Sequence, residues 1–144
     1  MKKIIPIGSD HAGFELKETV IKWLKENGFD PIDKGCYSEE SVDYPDFGHA
    51  VAEVVESSQA NLGIVICGSG NGINMSVNKH EKIRGALCWE PEIAALARQH
   101  NNANIISIPA RFISSEKAIN IIDVFLNTEF EGGRHQRRIE KISL

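Results

Sequence analysis

The sequence predicts a three-layer α/β sandwich built on a parallel sheet. Short apolar segments bounded by Gly, Asn or Asp alternate with amphipathic helical stripes along the chain. Three of those segments (3–8, 62–67 and 104–109) are near-continuous hydrophobic runs, as strands covered on both faces are. Strand–helix alternation repeated this often means parallel βαβ units with right-handed crossovers.

Taken in order, "KIIPIG" (3–8) is the first strand, and Leu16, Val20, Trp23 and Leu24 share one face of the helix behind it. Asn27-Gly28 stops that helix. "FDPID" (29–33) is the second strand; Pro45 then suits a first helical turn, ahead of the stripe Phe47, Ala50, Val51, Val54 and Val55. "LGIVIC" (62–67) is the third strand, with a shorter helix after Gly72. "RGALC" (84–88) is the fourth, and Pro91 opens a helix to about Asn101. "NIISIP" (104–109) is the fifth, and Ser114 or Ser115 caps a helix whose inner face is Ala118, Ile121, Ile122 and Phe125. Residues 131–144, "EGGRHQRRIEKISL", are less regular and are set apart by Gly132-Gly133, so this tail is expected to pack on a partner subunit. No internal repeat or linker interrupts residues 1–144, which are read as one domain.

At 144 residues the chain is long enough to bury most of its apolar surface without staples. Its net charge of −4 argues against a general nucleic-acid or anionic-membrane role, which needs a positive surface field. Cys36, Cys67 and Cys88 form no CxxC pair, so neither a zinc site nor a disulfide framework is expected, and a reducing cytoplasm fits. The apolar stretch of "MKKIIPIGSD" stops at Gly8 and Asp10, too short for a signal peptide, and no run elsewhere approaches a membrane span.

In open parallel sheets, ligands bind beyond the carboxyl ends of the strands, where strand order reverses. Two unusual loops follow predicted strands: "GSDHAG" (8–13) and "CGSGNG" (67–72). They face each other if the first and third strands are neighbours. The second loop is neither a Walker loop nor a dinucleotide fingerprint, because no Gly-Lys-Ser/Thr follows and its glycines run G-x-G-x-G. Its glycines let backbone amides turn inward to hold an anion or oxyanion, and the start of a helix next to Cys67 favours thiolate there.

Bland uses exist for each residue. Cysteine is among the most often buried types, so packing and reactivity are evenly balanced at Cys67. Cys88 ends an apolar strand with no such loop and reads as packing, while Cys36 reads as an ordinary loop residue. Asp10 and Ser69 can serve as helix caps, and His100 suits a helix end. Arg134, Arg137 and Arg138 make a solvated basic face, although Arg134 and Arg138, one helical turn apart, could also grip one phosphate. Their co-occurrence at strand ends and in the tail is what favours function.

The stretches "GSDHAGFELK", "DYPDF", "ICGSGNGINMSVNK", "GALCWEPEIAALARQHNNANIISIPAR" and "FEGGRHQRRIEKI" together resemble the type B ribose-5-phosphate isomerases, within the wider ribose/galactose isomerase group. The similarity spans essentially the whole chain. It implies a Rossmann-like αβα sandwich with a five-stranded parallel sheet and interconversion of ribose 5-phosphate and ribulose 5-phosphate without metal or organic cofactor. It also implies a homodimer, often paired into tetramers, whose sites are shared between subunits.

By the same resemblance Cys67 is the catalytic base between C1 and C2, and the backbone amides of Gly68, Ser69, Gly70, Asn71 and Gly72 hold the developing oxyanion. Ser69, often Thr in relatives, relays a proton between the substrate oxygens. His100, with Asp10 as a possible partner, helps open the furanose ring. His11, Arg134 and Arg138 match phosphate-binding positions, the tail arginines being supplied by the neighbouring subunit. Tyr44, Asn101 and Arg111 match other substrate contacts. Asn71 stands where several relatives have an aliphatic residue, which bears on sugar preference. Two other readings compete: isomerisation of a six-carbon sugar phosphate such as allose or galactose 6-phosphate, and a non-catalytic flavodoxin-like phosphate- or nucleotide-binding module. The last gives Cys67, His100 and Arg134 no joint task.

Overall fold

The computed structural model describes all residues, Met1–Leu144. Five parallel strands, β1 (Ile4–Ser9), β2 (Asp30–Asp33), β3 (Gly63–Cys67), β4 (Gly85–Leu87) and β5 (Ile105–Pro109), lie in the order β2-β1-β3-β5-β4. Strands β3 and β5 are buried at every residue and take the centre, whereas three-residue β4 is only half-buried and takes an edge. The expected αβα sandwich is therefore present. So is the pairing of β1 with β3, joined through Ile7–Ile64, Gly8–Val65 and Ser9–Ile66. The far half of the sheet departs from the flavodoxin order, because β5 inserts between β3 and β4.

Six helices connect and flank the strands: α1 (Phe14–Glu26), α2 (Tyr44–Glu56), α3 (Asn71–Val77), α4 (Pro91–Asn101), α5 (Ser115–Asn127) and α6 (Arg134–Glu140). Alternation along β3 sorts the core. Ile64 and Ile66 face Leu16, Val20, Ala94, Ala97, Ile121 and Phe125 of α1, α4 and α5. Val65 and Cys67 face Val51, Val55, Ile73 and Val77 of α2 and α3. The chain after β3 thus turns to one face of the sheet, while the chain after β1 and β5 turns to the other. That divergence opens a crevice at the carboxyl end of β3.

The caps follow the sequence. Ser114 accepts the amide of Lys117 at 3.1 Å and starts α5. Asp10 accepts the amides of Ala12 and Gly13 at 3.0 and 3.2 Å, capping a short 3-10 turn (His11–Gly13) ahead of α1. Helix α3 begins at Asn71, earlier than expected, because Gly70 turns the chain with φ 76° and forms its N-cap. Helix α2 is clipped to the α3–β4 loop by a hydrogen-bonded chain in which His80 meets His49 at 2.7 Å and Glu56 at 2.7 Å.

One buried charge has no counterpart in the sequence reading. The Lys17 side chain is fully enclosed, with Nζ 2.8 Å from Asp33 Oδ1 and 2.9 Å from Glu18 Oε1. Asp33 Oδ1 also accepts the Gly35 amide at 2.9 Å, and the next residues pair with β1 through Ser9 N to Gly35 O and Cys36 N to Ser9 O. Burial pulls the ammonium's proton affinity down, but the hydrogen bonds to Asp33 and Glu18 outweigh it and hold the pKa above the ordinary 10.5. The resulting stability is complete below that value and falls as pH rises through the folded-state pKa. Lys17→Met is expected to cost about 2–3 kcal/mol, below a fully buried pair because both carboxylates are partly solvated. A lower urea midpoint at unchanged m-value would show this, and an unmoved midpoint would contradict it.

Candidate active site

Cys67 lines an open cleft of about 520 Å³ at the carboxyl edge of the sheet. Asp10, Tyr44, Gly68, Ser69, Gly72, Arg111 and Phe112 share that cleft. Cys67 is 5% exposed and packs beside Val65, Ile73 and Val77. The loops after β1, β3 and β5 meet around it. Asp10 N donates to Ile66 O at 3.2 Å, Ala110 N to Cys67 O at 2.9 Å and Arg111 N to Gly68 O at 3.0 Å.

Gly68, Ser69, Gly70 and Gly72 each keep an amide that donates to no acceptor within the chain. Gly68 and Gly70 are buried residues, and buried amides are almost always paired. Unspent donors beside a thiol are what a developing oxyanion or a phosphate would satisfy. Ser107, a hydroxyl in the otherwise apolar β5, donates to Gly70 O at 2.7 Å and so fixes this peptide. Gly70 is irreplaceable twice over: φ is positive, and a Cβ there would stand 2.5 Å from Leu87 Cδ1. At Gly72 a Cβ would meet the Tyr44 ring at 2.5 Å, so the phenol can lie flat on the loop.

The other expected contacts divide into two groups. His11, next to Asp10, accepts the Val42 amide on Nδ1 at 3.2 Å, which leaves the hydrogen of a neutral ring on Nε2. Arg111 lies against Gly68, where a Cβ would be 3.2 Å from Nη1. Ser69 Oγ accepts the Asn71 amide at 3.2 Å and the exposed Asn71 side chain reaches the same oxygen at 3.4 Å. Asp10, His11, Tyr44, Cys67, Ser69, the glycines and Arg111 thus converge on one edge of the sheet.

His100, Asn101, Arg134 and Arg138 do not join them. Strands are parallel, so α4 runs back from the carboxyl edge, and its last turn lies roughly 15 Å away at the opposite edge. Asn101 lines a separate cavity of about 720 Å³ with His80, Arg84 and the terminal Ile142–Leu144. His100 stacks on His135, with centroids 4.3 Å apart and planes 13° from parallel. The possible pairing of His100 with Asp10 is therefore absent within the chain, since the helix carries the imidazole away from the cleft. Arginines hold that distant turn firmly: Arg98 donates to Ala103 O at 2.6 Å and to Thr128 O at 3.1 Å, and Arg84 to Asn101 O at 3.1 Å.

The tail is less detached than its glycines suggested, since α6 docks His135 beside His100. His100, Glu131 and His135 bring ligand atoms within 4.8 Å of one another. Imidazole lone pairs lie in the ring plane, so two nearly parallel rings cannot both aim at one ion, and the group is a stack rather than a metal cage. Phe112, Ser107 and His135 are site or near-site residues that sequence reasoning passed over. The hydroxyl inside an apolar run was a visible signal for Ser107.

The three thiols are free and unequal. Burial pushes the Cys88 thiol up to about 12, and Cys36 is enclosed beside Ser9 and Ser38. Iodoacetamide is expected to label Cys67 first and to be slowed by excess inorganic phosphate, as read by peptide mass spectrometry. Preferential labelling of Cys36 or Cys88 would contradict the placement of Cys67 on the cleft.

The chain has close relatives among known proteins. Residues 5–142 match the model of the Ribose/Galactose Isomerase family. The Escherichia coli (strain K12) ribose-5-phosphate isomerase B is 44% identical over 143 residues, covering 99% of this chain and 95% of the relative. A ribose 5-phosphate isomerase of Thermotoga maritima superposes with TM-score 0.97 at 50% identity, covering 99% of each chain. Ribose-5-phosphate isomerase B from Mycoplasma genitalium, solved with bound ribulose-5-phosphate, superposes with TM-score 0.93 at 46% identity, over 99% of this chain and 95% of that one. Matched in this way along nearly its full length, the chain belongs to the ribose/galactose isomerase family.

Proposed function

We propose that the protein interconverts ribose 5-phosphate and ribulose 5-phosphate through a cis-enediolate, with Cys67 as the base. The observation that carries this is Cys67 lining the cleft beside four amides without acceptors. The Cys67 thiolate takes the C2 proton of the open aldose, and O1 gains the proton that O2 gives up. Negative charge growing on the substrate oxygens is met by the amides of Gly68, Ser69, Gly70 and Gly72, each such donor being worth about 2.7–4 kcal/mol in the transition state. Ser69 Oγ moves a proton between O1 and O2, and the Cys67 thiol returns its proton to C1. No net oxidation occurs, so the steps need no redox partner.

Ribose 5-phosphate must open its furanose ring before C2 can react, and its phosphate must be held at the far end of the sugar. His100 is the group assigned to ring opening, and His11, Arg134 and Arg138 to the phosphate, with Arg111, Tyr44 and Asn101 on the sugar. Because α4 and α6 carry four of these seven to the opposite edge, the site is completed by a second copy of the chain. A homodimer is the smallest assembly that does this, and two such dimers make a tetramer. The free thiols support a reducing cytoplasm, and no helix is long and apolar enough to cross a membrane.

An assay with ribose 5-phosphate in the presence of a chelator tests the reading. Turnover that survives chelation is expected, with kcat/KM for ribose 5-phosphate above that for allose or galactose 6-phosphate. Higher kcat/KM on a six-carbon substrate would move the assignment to that sugar. Tight binding of FMN or ATP without turnover of any sugar phosphate would overturn it in favour of a binding module.

A further inference from the structure

His135 lies outside the cleft, lines no cavity and has no task in the steps above, yet it is the only tail side chain that is buried, at 8% exposure. The chain spends several contacts on placing it. Glu131 N donates to Gln99 O at 3.1 Å, which anchors the start of the tail beside the last turn of α4. Gly132 and Gly133 then take φ of 73° and 60° with open space where a Cβ would sit, so their requirement is the turn itself. The turn reverses the chain so that His135, one residue into α6, lands face to face on His100 at 4.3 Å. Glu131 Oε1 lies 3.6 Å from His135 Nε2, at the outer edge of the second ring.

We infer that His135 is a positioning residue: its flat ring is the platform that holds the His100 imidazole in the orientation used for opening the sugar ring. The inference rests on the assignment of His100 to ring opening. An acid–base imidazole exchanges its proton in every cycle, and a ring held only by hydrogen bonds would swing as its donors and acceptors change. Stacking is indifferent to which nitrogen carries the hydrogen, so it keeps the lone-pair direction constant through the cycle.

The platform must itself stay neutral, and its surroundings see to that. Burial holds the His135 imidazolium below the usual histidine range. His100, Arg134 and Arg138 push the same way, and Glu131 alone pushes back. Protonation of both rings would set two cations face to face beside two arginines, so the stack is a device for the neutral-platform state.

His135→Ala and His135→Phe test this, with circular dichroism to confirm folding. In His135→Ala, kcat on ribose 5-phosphate is expected to fall about tenfold to a hundredfold, the scale of a misaligned catalytic group, with KM changed by less than about twofold. His135→Phe keeps a flat face without ring nitrogens and is expected to recover most of that loss. The His100 ring protons are expected to lose their upfield ring-current shift in the Ala variant and keep it in the Phe variant. Erythrose 4-phosphate has no free hydroxyl with which to close a furanose, so its turnover is expected to be unchanged in both. Phe falling as far as Ala, unmoved His100 resonances in Ala, or an equal loss on the open-chain substrate would each overturn the inference. Failure of the wild-type protein to isomerise ribose 5-phosphate would instead overturn the functional reading, leaving the resonances to judge the stack.

Discussion

Cys67→Ala is expected to lower kcat on ribose 5-phosphate by about 10²–10⁴-fold, the range typical of losing a positioned general base. KM is expected to move far less, because the thiol meets a carbon-bound proton rather than the phosphate or hydroxyls that bind the sugar. The fold is expected to survive. Cys67 caps the smaller core cluster, where Val65, Ile73 and Val77 already exclude water, and the change removes one sulfur atom from its rim. An unchanged thermal midpoint with intact phosphate binding would localise the loss to the chemical step. Cys67→Ser is expected to be nearly as slow, since a hydroxyl is a far poorer base than a thiol at neutral pH. Wild-type kcat in the alanine variant would mean that another group takes the proton, and no second candidate lines the wall of β3.

Mixing two inactive proteins is expected to restore about a quarter of wild-type activity, if one carries Cys67→Ala and the other His100→Ala. The number follows from random pairing in a two-fold dimer. Half of the dimers are then mixed. Each mixed dimer has one site with both lesions and one with neither. The physical ground is the direction of α4: a helix antiparallel to the strands cannot end at the edge where β3 ends, so on the proposed mechanism His100 would serve the cleft of a second copy. The arginines Arg84 and Arg98, which pin the carbonyls of that turn, leave no slack for the imidazole to travel. Recovery requires subunit exchange, secured by brief denaturation and refolding of the mixture. No recovery from a mixture that demonstrably exchanges would place both residues in one chain's site and contradict the shared arrangement.

Much of this was readable before any coordinates. The near-continuous runs at 62–67 and 104–109 mark the two central strands because only a strand covered on both faces can be apolar at every position. The cleft was largely legible too: apart from Tyr44 its residues sit within a few positions of strand ends, so the β1–β3 pairing alone brings Asp10 to Cys67. What escaped depends on contacts between segments far apart in sequence. The insertion of β5 between β3 and β4 is set by which strand has more to bury, and no local pattern records it. Lys17 looks like an ordinary helix lysine until Asp33 closes over it. His100 and Cys67 look like partners in a list of residues, and only the run of α4 shows that a single chain keeps them apart. His135 stood in plain view beside the tail arginines, but its meaning lies in a ring thirty-five positions earlier in the sequence.

The most direct measurement is solvent hydrogen exchange at the reacting carbons. With ribose 5-phosphate in D₂O, the wild-type protein is expected to place deuterium at C1 of ribulose 5-phosphate and at C2 of the recovered aldose, both visible by proton NMR. Folded Cys67→Ala is expected to incorporate none above the rate without protein. Incorporation at the wild-type rate in that variant would show that the sulfur is not the proton carrier.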